Sequence, residues 1–100
     1  MSLGELKVKV KYLATLKPLA KKPEDEIVVT GGGTLLDLLK EIKRKDSKVL
    51  IKRLLDPSSC NPQPDILILI NGFEISALNG LNTKLKDGDT VVFLPSVHGG

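Results

Sequence analysis

Tryptophan is absent, cysteine and histidine occur once each, and Tyr12, Phe73 and Phe93 are the only aromatic side chains. With Cys60 alone there is no internal disulfide, no CxxC redox pair and no cysteine-built metal or iron–sulfur centre, so a reducing, cytoplasmic setting is expected. The scarcity of aromatics leaves the core to Leu, Ile and Val and offers no stacking platform for sugars or bases. No apolar run approaches the ~20 residues of a membrane span, and no basic segment leads into a signal-type stretch; neither insertion nor export is expected. The net charge of +3 suits solubility but does not argue for a polyanionic partner, and direct nucleic-acid binding is not expected.

What is present is a 41% hydrophobic content in 100 residues, enough for one modest core. Leu6, Val8, Val10 and Tyr12 alternate with Lys7, Lys9 and Lys11, the period of a strand with one wet face. Turn-forming residues around Pro18 and Pro23 lead to a β-branched run over 26–30, the expected hairpin partner. Gly31-Gly32-Gly33 then breaks the chain. Thr34 with Asp37 three residues later predicts a capped helix start, and Leu35, Leu38, Leu39 and Ile42 recur at spacings of three and four as its buried face. A second helical piece over 47–55 carries Val49, Leu50, Leu54 and Leu55, either continuing the first helix or forming a separate turn. After a surface loop over 57–64, residues 65–70 read as a central strand closed by a tight turn at Asn71-Gly72. Residues 90–94 supply the final strand. Pro95, unable to donate to a ladder, is expected to stop it.

The order strand, strand, helix, strand, irregular segment, strand contains no doubly wound repeat. It predicts an α+β domain over 5–95, a mixed sheet wrapped around one main helix in the β-grasp manner, with a tail over 96–100. Both alternation classes of the late strands are apolar, and one helix covers one sheet face, so the surplus should form an exposed patch. Which parity faces the helix is left open.

Residues 65–72 (DILILING), 85–94 (LKDGDTVVFL) and Val97-His98-Gly99-Gly100 resemble the carboxy-terminal half of the ubiquitin-related modifiers. Residues 8–20 (VKVKYLATLKPLA) resemble the opening of the small subunit of molybdopterin synthase. Both belong to the β-grasp sulfur carriers and ubiquitin-like modifiers; the thiamine-pathway carrier is a poorer match because it would lack much of 47–64.

The resemblance implies a carrier, not an enzyme, with no catalytic residue, no metal and no bound cofactor. An ATP-dependent activating enzyme of the ubiquitin-activating type would adenylate Gly100, and a sulfur donor would convert it to a thiocarboxylate, or a cysteine to a thioester. Gly99 would give passage through a narrow channel, because glycine has no Cβ and accepts positive φ; Val97 and His98 would aid partner recognition. Implied users are a tRNA thiolation enzyme, a molybdopterin synthase large subunit, or lysines of conjugation targets. The reading from another class is an interaction domain that is never activated.

Other candidates have simpler readings. Gly31-Gly32-Gly33-Thr34 before a helix could bind phosphate but lacks the P-loop lysine, so a loop and cap are expected. Asp87 and Asp89 fit turn chemistry better than a calcium loop. His98 and Cys60 lack partners at a catalytic spacing. The basic run Lys40, Lys43, Arg44, Lys45, Lys48, Lys52 and Arg53 could touch RNA or an acidic partner, but a solvated helix face is the stronger reading.

Overall fold

The structure, a computed structural model, describes residues 5–96. The opening alternation forms β1 (Leu6–Tyr12), with Val8, Val10 and Tyr12 buried and Lys7 and Lys9 exposed. The proline-containing stretch folds into a 3-10 segment, Ala14–Leu19, that buries Leu16. The chain returns as β2 (Glu24–Val29), antiparallel to β1. This strand starts earlier than its β-branched residues indicate, because Glu24 and Asp25 pair with Lys11 and Val10, and ladder hydrogen bonds do not require apolar side chains at a wet edge.

Thr34 and Asp37 build the expected capping box at the head of α1 (Leu35–Lys45). Asp46 is extended (φ −93°, ψ 176°) and ends that helix. Ser47 then caps a separate α2 (Lys48–Leu54), its hydroxyl accepting from the Leu50 N–H at 3.1 Å. Leu50, Leu54 and Leu55 are buried, whereas Val49 is 61% exposed.

Two strands, β3 (Ile66–Ile70) and the short β4 (Phe73–Glu74), join through Asn71 and Gly72, both at positive φ, as a two-residue hairpin requires. The last strand, β5 (Thr90–Pro95), runs between β1 and β3. The sheet order is β2-β1-β5-β3-β4, with β1 and β5 parallel and the other pairs antiparallel. The middle strand is therefore β5, and β3 lies beside it. Continuous aliphatic runs identify both as interior strands but do not rank them.

The sheet wraps α1, giving the expected α+β, β-grasp arrangement. Leu35, Leu38, Leu39 and Ile42 pack into a cluster with Val8, Val10, Ile27, Val29, Ile68, Val91 and Phe93. Each such side chain contributes about 1.5–3 kcal/mol on burial. Among the described residues, no helix is long and apolar enough to cross a membrane.

Candidate functional site

The parity question in the late strands is resolved by α1. Ile66, Ile68, Ile70, Val91 and Phe93 face the helix, and Leu67, Leu69, Val92 and Leu94 are left partly exposed on the other side. Leu67 pairs with Leu94 and Leu69 with Val92, so the four aliphatics are immediate cross-strand neighbours. Lys11 stands opposite Val92 on the β1 side, and Glu74 opposite Leu69 on the β4 side. The surplus apolar residues thus form the expected patch, with one charge of each sign at its flanks.

At one end of this patch the chain runs out of β5. Pro95, expected to stop the strand, is its last residue, opposite Ile66. The missing N–H does not interrupt the ladder, because the following Ser96 N–H donates to the Asp65 carbonyl at 2.6 Å. Ser96, assigned from sequence to the tail, is therefore tied to the sheet. Asp65 is held in turn from the helical layer: Arg53 Nη1 and Nη2 of α2 donate to its two carboxylate oxygens at 3.0 and 2.6 Å. This two-pronged bond holds the Arg53 guanidinium above its ordinary range. The residues expected to carry chemistry and recognition, Val97, His98, Gly99 and Gly100, lie outside the described residues.

The competing candidates are accounted for locally. The head of α1, where a phosphate could bind, is already filled by a carboxylate: Asp37 Oδ2 accepts from the Thr34 N–H and hydroxyl, each at 3.1 Å. The Thr34 N–H holds the Asp37 carboxyl below its usual range. An anion approaching Gly31-Gly32-Gly33 would meet that negative charge. Asp89 accepts from the Lys86 N–H of its own turn, as expected, and from the Asn71 amide, both at 2.8 Å; Asp87 instead ties the turn to β1, accepting from the Lys7 N–H at 2.8 Å. Cys60 sits half-buried in the loop before β3. Arg44 on α1 pairs with Glu41 at 2.7 Å.

The Arg53–Asp65–Ser96 chain leaves no signal in residue spacing. Arg53 lies on α2, Asp65 just before β3 and Ser96 just after β5, so no helical or strand period links them.

The ThiS family profile matches residues 10–100, from the last residues of β1 through both helices and the patch to the Gly-Gly end. The chain belongs to the ThiS family. With it, the chain belongs to the β-grasp superfamily of sulfur carriers and ubiquitin-like modifiers. Among relatives of this ThiS-family chain, the small archaeal modifier protein 3 of Haloferax volcanii is 27% identical over 95 residues, covering 95% of this chain and all of the relative. The solution structure of the small archaeal modifier protein 1 of Methanosarcina acetivorans superposes with a TM-score of 0.78 at 35% identity, covering 97% of this chain and 99% of the other. That of Urm1 from Trypanosoma brucei gives 0.75 at 30% identity, with both chains covered completely.

Proposed function

We propose that this ThiS-family chain is a ubiquitin-like sulfur carrier whose Gly100 carboxylate is adenylated by an ATP-dependent activating enzyme and then sulfurated. The observation that carries this reading is a family match running through Gly99-Gly100, on a fold that leads into this segment from an anchored strand beside an apolar patch.

A carboxylate is a poor electrophile, because its charge is delocalised and oxide is a bad leaving group. In the proposed first step its oxygen attacks the α-phosphorus of ATP, and pyrophosphate leaves. Sulfide then displaces AMP at the carbonyl to give a thiocarboxylate; a persulfide does so through an acyl disulfide that a second thiol reduces. A partner's cysteine thiolate would instead give a thioester able to acylate a lysine. In each case the chain supplies substrate and grip, and the partner supplies catalysis and binds the ATP. Leu67, Leu69, Val92 and Leu94 are the proposed grip, since a partner that covers them gains apolar burial next to the reacting end.

Intact-mass measurement after incubation with ATP, an activating enzyme of the ubiquitin-activating type and a sulfur donor tests the proposal. Replacement of one terminal oxygen by sulfur is expected, and its loss on deletion of Gly100. No adenylate, thiocarboxylate or thioester with a competent enzyme would leave a non-activated interaction domain as the better reading. Affinity capture then separates the users: a tRNA thiolation enzyme, a molybdopterin synthase large subunit, or lysine-linked conjugates.

A further inference from the structure

Positive charge concentrates where α1 hands over to α2. From Lys40 to Arg53 seven cations stand against Glu41 and Asp46, so this stretch alone is more positive than the whole chain at +3. Between the two helices lies an open groove of about 410 Å³, whose accessible apolar floor is Ile51 and Pro57 over the buried Leu55 and whose rim is Lys43, Lys48 and Lys52.

Asp46 and Asp56 also line the groove, but both carboxylates are engaged by their own chain. Asp46 Oδ1 accepts from the Ser47 and Lys21 N–H groups at 2.7 and 3.1 Å. Asp56 Oδ2 accepts from the Ser58 hydroxyl and N–H and from the Ser59 hydroxyl. Nearby Arg44 and Arg53 have carboxylate partners, whereas Lys43, Lys48 and Lys52 have none among the described residues. On the other side of Lys52 a second depression of about 340 Å³ contains Leu19 and the exposed Val49. Lysines Lys48 and Lys52, one turn apart on α2, are thus exposed beside aliphatic surface.

We infer that this helical face docks an acidic amphipathic segment of a partner protein, its aliphatic side chains on Ile51 and Pro57 and its carboxylates on Lys43, Lys48 and Lys52. Helix-in-groove recognition uses this combination of an apolar floor and flanking charge. A polynucleotide would find the charge but nothing to stack on, because no aromatic side chain lines either depression. The groove belongs to the helical layer, and Leu67, Leu69, Val92 and Leu94 to the opposite sheet face. A protein held here would leave that face open. The inference does not depend on activation of Gly100.

The test uses the full chain and a short synthetic helix-forming peptide with leucines in one stripe flanked by glutamates. Controls are the same peptide with lysine for glutamate, and oligouridine. Amide chemical-shift mapping should place the acidic peptide on Lys43, Lys48, Ile51, Lys52 and Leu55, with affinity falling as salt rises. The double variant Lys48→Glu and Lys52→Glu should bind about tenfold or more weakly with an unchanged thermal midpoint, since both side chains are exposed. The inference is overturned if the acidic peptide fails to bind, if its shifts fall on Leu67, Leu69, Val92 and Leu94, if charge reversal leaves affinity unchanged, or if oligouridine binds more tightly through the same lysines.

Discussion

Tyr12 is 1% exposed and stacks on Phe93 with ring centroids 5.3 Å apart, yet its hydroxyl has no hydrogen-bond partner among the described residues. An unpaired buried hydroxyl is costly, so Tyr12→Phe is expected to stabilise the protein by about 1 kcal/mol, read from urea unfolding. Burial, with Asp46 and Asp25 adding to it, pushes the phenol well above its usual range. Above pH about 10 the unfolded chain therefore loses a proton that the folded chain keeps, and stability falls as pH rises. Tyr12→Phe should flatten that alkaline limb. Asp37 has the opposite sign. Its carboxyl is held low by the Thr34 N–H, so its contribution is present above the ordinary value of about 3.9 and fades as pH falls through the lower folded value. Asp37→Asn should flatten the acid limb in thermal melts, and Thr34→Ala should lose about 1 kcal/mol at neutral pH. The Thr34–Asp37 pair was legible because capping works at a spacing of three residues. The Arg53–Asp65 bond was not, because only tertiary folding brings α2 to the start of β3.

Among the elements, α1 is the one on which the core depends. Leu39 is fully buried against the sheet, and Leu39→Ala should destabilise by about 2–5 kcal/mol, measured by urea unfolding. Its period of three and four could be read directly, since one face is apolar and the other charged. In α2 spacing does not sort the apolar residues: Val49 is exposed while Leu50 and Leu54 are buried. Seven residues cover fewer than two full turns, too few for the period to separate an apolar residue on the wet side from those on the core side. The late strands were ambiguous for a different reason. With isoleucine, valine and phenylalanine at one parity and leucine and valine at the other, hydrophobicity carries no alternation to follow. Pro95 shows the limit of a local rule: it has no N–H to give, but Ser96 restores the bond to Asp65 one residue later.

For the molecule as a whole, folding and the proposed chemistry are separable. Among the described residues the buried core cluster runs from Val8 to Phe93, and deleting Gly100 is expected to leave the thermal midpoint unchanged while abolishing activation. Calorimetry beside the mass assay checks both halves, and a variant that unfolds early would contradict the separation. The patch, the tied strand end and the basic groove occupy different parts of one small domain, which gives a partner several places to hold without touching the core.

The sequence by itself determined the α1 stripe, the β1 alternation, the capped helix start, the Asn71-Gly72 turn and the resemblance carried by the Gly-Gly segment. These are set by spacings of a few residues, within reach of local hydrogen bonding and side-chain periodicity. The tertiary structure alone decided that β5 is the middle strand, that Leu67, Leu69, Val92 and Leu94 are the outward set, that Arg53 anchors Asp65 and that lysines rim a groove between α1 and α2. Each of these depends on which surfaces meet once the chain has folded, and long-range packing leaves no period in the sequence to announce it.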